Sequence, residues 1–210
     1  MAFRNREDAG RQLAERVVAL GLPDPVVLAL PRGGVPVAAQ VAAALSAPLD
    51  VLVVRKVGAP GRPELGVGAV AEGLTEPVLS DVMAQLGLTP SDVRRLAVAE
   101  EEELVRRVAS YRGDRPLPDI EGRDVVLVDD GLATGATAEA GLRALRSRSP
   151  GSLRFAAPVC ARIGADRLAA VCDGVVHVLA PSDMRSVGEW YDDFTQTTDD
   201  EVLAILDRHR

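Results

Sequence analysis

Aromatic rings are scarce in this 210-residue chain: one Trp, two Tyr and three Phe make up 3% of it, against 47% hydrophobic residues overall. The core must therefore be packed from aliphatic side chains, and the length suffices for one domain with a substantial interior. Cysteine is nearly absent as well. Cys160 and Cys172 lie in apolar surroundings without metal-ligand spacing, which predicts two reduced core thiols and a cytoplasmic protein, with a disulfide between them as the alternative. Basic residues do not outweigh acids: 24 Lys and Arg face 31 Asp and Glu, a net charge of −7. No general basic field exists to attract nucleic acid or a membrane surface, so an anionic ligand must be held by local features. The longest apolar stretch, around Val35 to Leu45, is broken by Gln40, and Arg4, Arg6, Glu7, Asp8 and Arg11 interrupt the start of the chain. Neither a membrane span nor an export signal is expected. With no repeat and no linker, residues 1–210 read as a single domain.

What is present concentrates between Val125 and Arg148. Val125-Val126-Leu127-Val128 reads as a buried parallel strand, Asp129-Asp130-Gly131-Leu132-Ala133-Thr134-Gly135-Ala136-Thr137 as a loop, and the Ala- and Leu-rich segment from about Thr137 as a helix. Paired carboxylates at the carboxyl end of such a strand stand where open α/β sheets bind ligands. Gly131 and Gly135, with the hydroxyls of Thr134 and Thr137, allow backbone N–H groups to converge on an anion at a helix N-terminus. A ligand with hydroxyls or a metal at one end and a phosphate at the other suits this pattern. An Asp-Gly surface turn is the bland alternative, but it leaves Thr134-Gly135-Ala136-Thr137 unexplained. The Gly-Lys-Ser/Thr of a Walker loop is absent.

The segment Val126 to Thr137 resembles the phosphoribosyl-pyrophosphate (PRPP) loop of the type I phosphoribosyltransferases. That resemblance implies that Asp129 and Asp130 hold the ribose hydroxyls, directly or through Mg2+. It also implies that Gly131, Ala133, Thr134, Gly135, Ala136 and Thr137 cradle the 5-phosphate. Several 6-oxopurine enzymes of the family carry an acid where this chain has Ala133, so the usual general base is missing and the acceptor is left open.

Asn5 can cap a first helix with Ala9, Leu13, Val17 and Leu20 on one face and Gly21 at its stop, and a second strand–loop–helix unit follows it, ahead of the acid-bearing one. Val26 to Leu30 reads as a strand, Pro31-Arg32-Gly33-Gly34 as its loop, and residues from Val35 to Leu45 as a helix. Paired glycines beside a guanidinium suit close approach to an anion, and Leu30 to Gly34 resembles the family's pyrophosphate loop. Residues from Leu49 to Val54 read as a further strand running into Arg55-Lys56-Val57-Gly58-Ala59-Pro60-Gly61-Arg62-Pro63, a cationic loop rich in Gly and Pro. Its position is similar to the family's flexible closing loop, which implies that Arg55 and Lys56, with Arg32, Gly33 and Gly34, meet pyrophosphate. Arg32 and Lys56 join Asp129 and Asp130 as the expected catalytic set.

Strand-like alternation in Gly68 to Gly73 and Glu76 to Leu79 suggests a hairpin or a pair of strands on the sheet edge. Thr89-Pro90-Ser91-Asp92 opens a helix to about Tyr111, with Glu102–Arg106 and Glu103–Arg107 spaced as salt pairs. Leu153 to Val159 and Gly174 to Leu179 read as strands around a helix from Ala165 to Cys172. Thr198 to Glu201 is a capping box for a final helix.

Half of the aromatic residues fall in Val187-Gly188-Glu189-Trp190-Tyr191-Asp192-Asp193-Phe194. They can serve as core for the last helix or as a platform for a flat ring. The stretch resembles the hood over the base in purine phosphoribosyltransferases. That implies hood elements at residues 184–196 and an acceptor site at Trp190, Tyr191 and Asp193. The expected fold is a doubly wound, mostly parallel α/β sheet with helices on both faces. The expected function is phosphoribosyl transfer from PRPP to an unidentified small-molecule acceptor, with pyrophosphate release and Mg2+ as cofactor. The resemblance also implies a homo-oligomer, a dimer, without nucleic-acid or membrane partners. A non-catalytic PRPP-sensing regulator is the alternative.

Overall fold

The computed structural model describes residues 2–209. In chain order the elements are α1 (Arg6–Val18), β1 (Pro25–Ala29), α2 (Gly34–Leu45), β2 (Leu49–Val51), β3 (Val54–Ala59), β4 (Arg62–Ala71), β5 (Val78–Leu79), α3 (Asp81–Gln85), α4 (Pro90–Arg112), β6 (Asp124–Val128), α5 (Ala136–Arg146), β7 (Ser152–Val159), α6 (Arg162–Leu168), β8 (Gly174–Leu179) and α7 (Asp199–Asp207). The short aliphatic strands assemble into a five-stranded sheet of order β2-β1-β6-β7-β8, parallel throughout. Alternate side chains leave opposite faces. Val27, Ala29, Val126 and Val128 pack with Leu13, Val17, Val37 and Val41 of α1 and α2. Val26, Leu28, Val125 and Leu127 pack with Leu142, Leu145 and Leu168 of α5 and α6. Burial on both faces explains why these strands read as continuous apolar runs. The doubly wound expectation holds.

The stretch from Leu49 to Pro63 departs from expectation. The anticipated strand breaks after Val51, and Val54 starts a separate antiparallel sheet of order β3-β4-β5. Arg55 to Pro63 is therefore a β-hairpin and not an open loop. Pro60-Gly61 turns it, between the paired residues Ala59 and Arg62, with Gly61 at φ +70°. Pro followed by a left-handed Gly is the signature of a type II turn. Gly68 and Ala69 pair with Leu79 and Val78 as a hairpin, but inside this small sheet instead of on the edge of the parallel one. Ala69 and Ala71 pack on Ala140 and Ala144 of α5.

Three smaller expectations also shift. The helix after β7 spans Arg162–Leu168, beginning earlier than Ala165 and ending before Cys172, because the chain turns into it directly from the strand end. Arg106 reaches Glu103 at 2.7 Å, and Arg107 shares that carboxylate at 2.8 Å, so Glu103 takes both partners. Leu20 lies beyond the end of α1 and is 40% exposed. The capping boxes at Thr89–Asp92 and Thr198–Glu201 form as expected, and both cysteines are free and buried.

Candidate active site

Two strand ends build the site. β1 and β6 are hydrogen-bonded neighbours with Ala29 opposite Val128, so the loops that follow them emerge side by side. Their approach depends on absent side chains. A Cβ on Gly33 would collide with the Asp130 carboxylate, and one on Gly34 would stand 2.7 Å from the Val128 carbonyl oxygen and 3.0 Å from the Asp129 Cα. The glycines expected to meet pyrophosphate thus have a second duty: they let the Arg32 loop lie against the paired acids. The Pro31–Arg32 peptide bond is cis.

Asp129 closes its own loop, its Oδ1 accepting the Asp130 N–H at 2.8 Å. Burial, then the charge of Asp130, pushes the Asp129 carboxyl well above its ordinary value; the Asp130 N–H and Arg6 pull the other way. Burial also raises Asp130, opposed by the Arg6 guanidinium. Arg6 Nε reaches Asp130 Oδ2 at 2.7 Å, with both side chains mostly buried at 11% and 15% exposure. The Asp130 backbone is held separately, its carbonyl oxygen accepting the Tyr191 hydroxyl at 2.6 Å.

Beyond the acids, Leu132 rejoins the sheet by donating to Val159 O at 2.8 Å. Gly135, at φ +80°, caps α5 without any side-chain hydrogen bond. The first N–H groups of α5 therefore lack both an intrahelical and a capping acceptor, while Ala133 and Thr134 are exposed. That end of the loop can take an anion. Gly131 lies under Val187, whose side chain a Cβ at Gly131 would strike.

A cavity of 360 Å³ opens where the loops meet, lined by Arg6, Arg32, Gly33, Asp130, Phe194, Gln196 and Thr197. Arg32 points along it toward Asp199, at 3.9 Å. The other expected cations, both on β3, are engaged away from it, Arg55 with α4 and Lys56 within the small sheet. Arg55 binds Glu100 at 2.8 Å, and Lys56 Nζ donates to the Glu64 carbonyl at 3.0 Å. Neither lines this cavity.

The aromatic cluster needs one correction. Tyr191 is only 2% exposed, packed with Phe3 and tied through its hydroxyl to the acid loop, so its ring is structural and cannot stack on a ligand. Trp190 is half-buried in the same cluster. Asp193 holds Thr195 N at 2.9 Å and borders a neighbouring cavity of 470 Å³. The ring that reaches the site is Phe194. Its face carries the Arg6 guanidinium at 3.9 Å, and Tyr191 sits 5.0 Å from it on the ring-centroid distance.

Sequence reasoning passed over Arg6 and Thr197, and took Phe194 and Gln196 only as part of the hood-like stretch without placing them in the site. A signal for Arg6 was available. Asn5 caps α1 and so places Arg6 in its first turn, where the macrodipole disfavours a cation; a basic residue kept there implies an acid partner from elsewhere. No group of three or more metal-ligating side chains occurs among the described residues. Two adjacent carboxylates fit Mg2+ of the kind held mainly by substrate oxygens and water, not by a protein cage.

A family model described as a phosphoribosyl transferase domain matches residues 2–188. Two Mycobacterium tuberculosis proteins, from strains CDC 1551 / Oshkosh and H37Rv, carry the provisional name phosphoribosyl transferase. Each is 44% identical over 209 residues, 99% of this chain and 47% of its own length. The chain thus spans about half the length of these curated relatives. The crystal structure of TT1426 from Thermus thermophilus is 47% identical, covers 98% of both chains and superposes with a TM-score of 0.84.

Proposed function

This chain belongs to the phosphoribosyltransferase family, and from that membership we propose that it moves the 5-phosphoribosyl group of PRPP to a small-molecule acceptor, releasing pyrophosphate. One observation supports the reading: the loops after the adjacent strands β1 and β6 meet at a cavity lined by Arg32, Gly33 and Asp130, and the acid loop runs on from there to the start of α5, which has no side-chain cap. Asp129 and Asp130 hold the ribose hydroxyls, and the backbone of residues 131–137 takes the 5-phosphate. Arg32 faces the leaving pyrophosphate. As the bond from ribose C1 to the pyrophosphate oxygen breaks, positive charge develops on the ring and negative charge on the leaving group; the acids and Arg32 are placed to stabilise one each. Mg2+ held with Asp129 and Asp130 through substrate oxygens would supply further neutralisation of the pyrophosphate. The acceptor then attacks C1 from the Phe194, Gln196 and Thr197 side of the cavity, with Trp190 and Asp193 at its periphery. Lys56 contributes if the hairpin bends toward the cleft.

The test is a screen for pyrophosphate release from PRPP with Mg2+ across a panel of nucleobases and amines, alongside calorimetric PRPP binding. Native protein is expected to bind PRPP, and the double variant Asp129→Asn/Asp130→Asn to bind it about a hundredfold more weakly, since two charge-assisted contacts are lost. Equal affinity in the double variant would remove these acids from the ribose site. PRPP binding without pyrophosphate release for any acceptor would favour the sensing alternative.

A further inference from the structure

Arg6 lies 124 residues from Asp130 in sequence, yet its guanidinium makes three contacts at the site. Nε binds Asp130 Oδ2 at 2.7 Å, Nη1 donates to the Thr195 carbonyl at 2.7 Å, and the guanidinium carbon stacks 3.9 Å over the Phe194 ring. The first contact fixes a carboxylate of the acid pair; the other two fix the segment that forms the cavity's far wall. Residues 3 and 4 carry Arg6 there through their pairing with 190–193. Phe3 N–H donates to Trp190 O at 3.0 Å, and Asp192 and Asp193 donate to Phe3 and Arg4 carbonyls at 2.9 Å. Asp130 has a separate backbone anchor in Tyr191. Removing the guanidinium would therefore release the Asp130 side chain while the loop backbone stays pinned.

We propose that Arg6 is a positioning residue of this site: it aims the Asp130 carboxylate at the ribose hydroxyls of the phosphoribosyl donor and fastens the 187–197 segment across the cavity. The inference rests on the PRPP reading above. A guanidinium suits this work better than an ammonium, because its planar fork reaches Asp130 and Thr195 together and still offers a face to Phe194. Geometry of this kind governs reactivity steeply, since a carboxylate that rotates away from a hydroxyl loses the bond that orients the sugar.

Calorimetry with PRPP and with inorganic pyrophosphate, both with Mg2+, tests the assignment on the full chain. Arg6→Gln should weaken PRPP about tenfold or more, the loss of one well-aligned charged contact, with pyrophosphate affinity changed less than about twofold. Because Arg6 acts through Asp130, the pair Arg6→Gln/Asp130→Asn should bind PRPP no more weakly than Asp130→Asn alone. Arg6→Lys keeps the charge and should fall between native and Arg6→Gln, which keeps the test open if Arg6→Gln folds poorly. Emission from Trp190, the single Trp, should shift in Arg6→Gln as the wall loosens. Native PRPP affinity in Arg6→Gln, additive losses in the pair, or a parallel loss of pyrophosphate would each overturn the inference while leaving the PRPP reading intact. Failure of the native protein to bind PRPP would overturn both.

Discussion

Burial and the charge of Asp130 hold the Asp129 carboxyl above its ordinary value of 3.8, so the native state opposes an ionisation that the unfolded chain allows. Below pH 3.8 the group is protonated in both states and affects stability little. As pH rises from there, the unfolded chain ionises first and the native state loses stability, until the native group ionises too and the deficit becomes constant. Asp129→Asn keeps an oxygen for the Asp130 N–H and removes the charge. Its thermal midpoint at pH 7.5 should exceed the native one by about 2–4 °C for each kcal/mol relieved, and the gain should vanish near pH 3.5. A variant no more stable than native at pH 7.5 would show that Asp129 is not held against its charge. A site residue that lowers stability is the expected trade between activity and folding. Asp129, Asp130 and Arg32 were legible in the sequence because each follows an aliphatic strand directly. Arg6 was not, because its partner comes from a distant part of the chain.

Elements succeed or fail here by how closely their loops can approach. Gly34 opens α2 against the backbone of β6, with Val128 O at 2.7 Å and Asp129 Cα at 3.0 Å from where a Cβ would stand. Backbone cannot swing aside as a flexible side chain can. Gly34→Ala should therefore destabilise by about 1–3 kcal/mol, the usual penalty of overpacking, and weaken PRPP as the loops part. Gly61→Ala is the control, since its neighbourhood is empty within 4 Å and only the left-handed φ of +70° is strained; it should leave ligand binding unchanged. Equal effects from both would mean that loop spacing does not matter to the site. Period and caps located the longer helices, and aliphatic runs the five parallel strands, while the short helix α3 was not anticipated. The small antiparallel sheet escaped because cationic, Gly- and Pro-rich sequence was read as a loop, although Pro60-Gly61 between residues able to pair is also the chemistry of a tight hairpin turn.

At the scale of the molecule, the small sheet is joined to the large one by a charge withdrawn from water. Arg112, at the end of α4, is 1% exposed; it pairs with Glu72 just past β4, donates to Val51 O at 3.0 Å and stands 4.0 Å from Asp50 on β2. Arg112→Met would leave Glu72 without its guanidinium partner, and removing one member of a buried network typically costs about 3–5 kcal/mol. The thermal midpoint should fall by about 6 °C or more, and Glu72→Gln added to Arg112→Met should restore part of the loss. No change in Arg112→Met would mean that the sheets hold together by apolar packing alone. The helix α4 was expected from its cap and spacing, but nothing local marked Arg112 as its buried end. By itself the sequence determined what depends on near neighbours: an aliphatic parallel sheet, caps and turns, and two glycine-rich loops at strand ends, because propensity, periodicity and strand-end chemistry act within a few residues. Only the tertiary structure decided which loops meet, that Tyr191 supports the acid loop while Phe194 faces the cavity, that Arg55 and Lys56 are engaged away from it, and that Arg6 clasps Asp130. Those outcomes turn on distances between segments far apart in the chain, and on the burial that makes a charge require its partner.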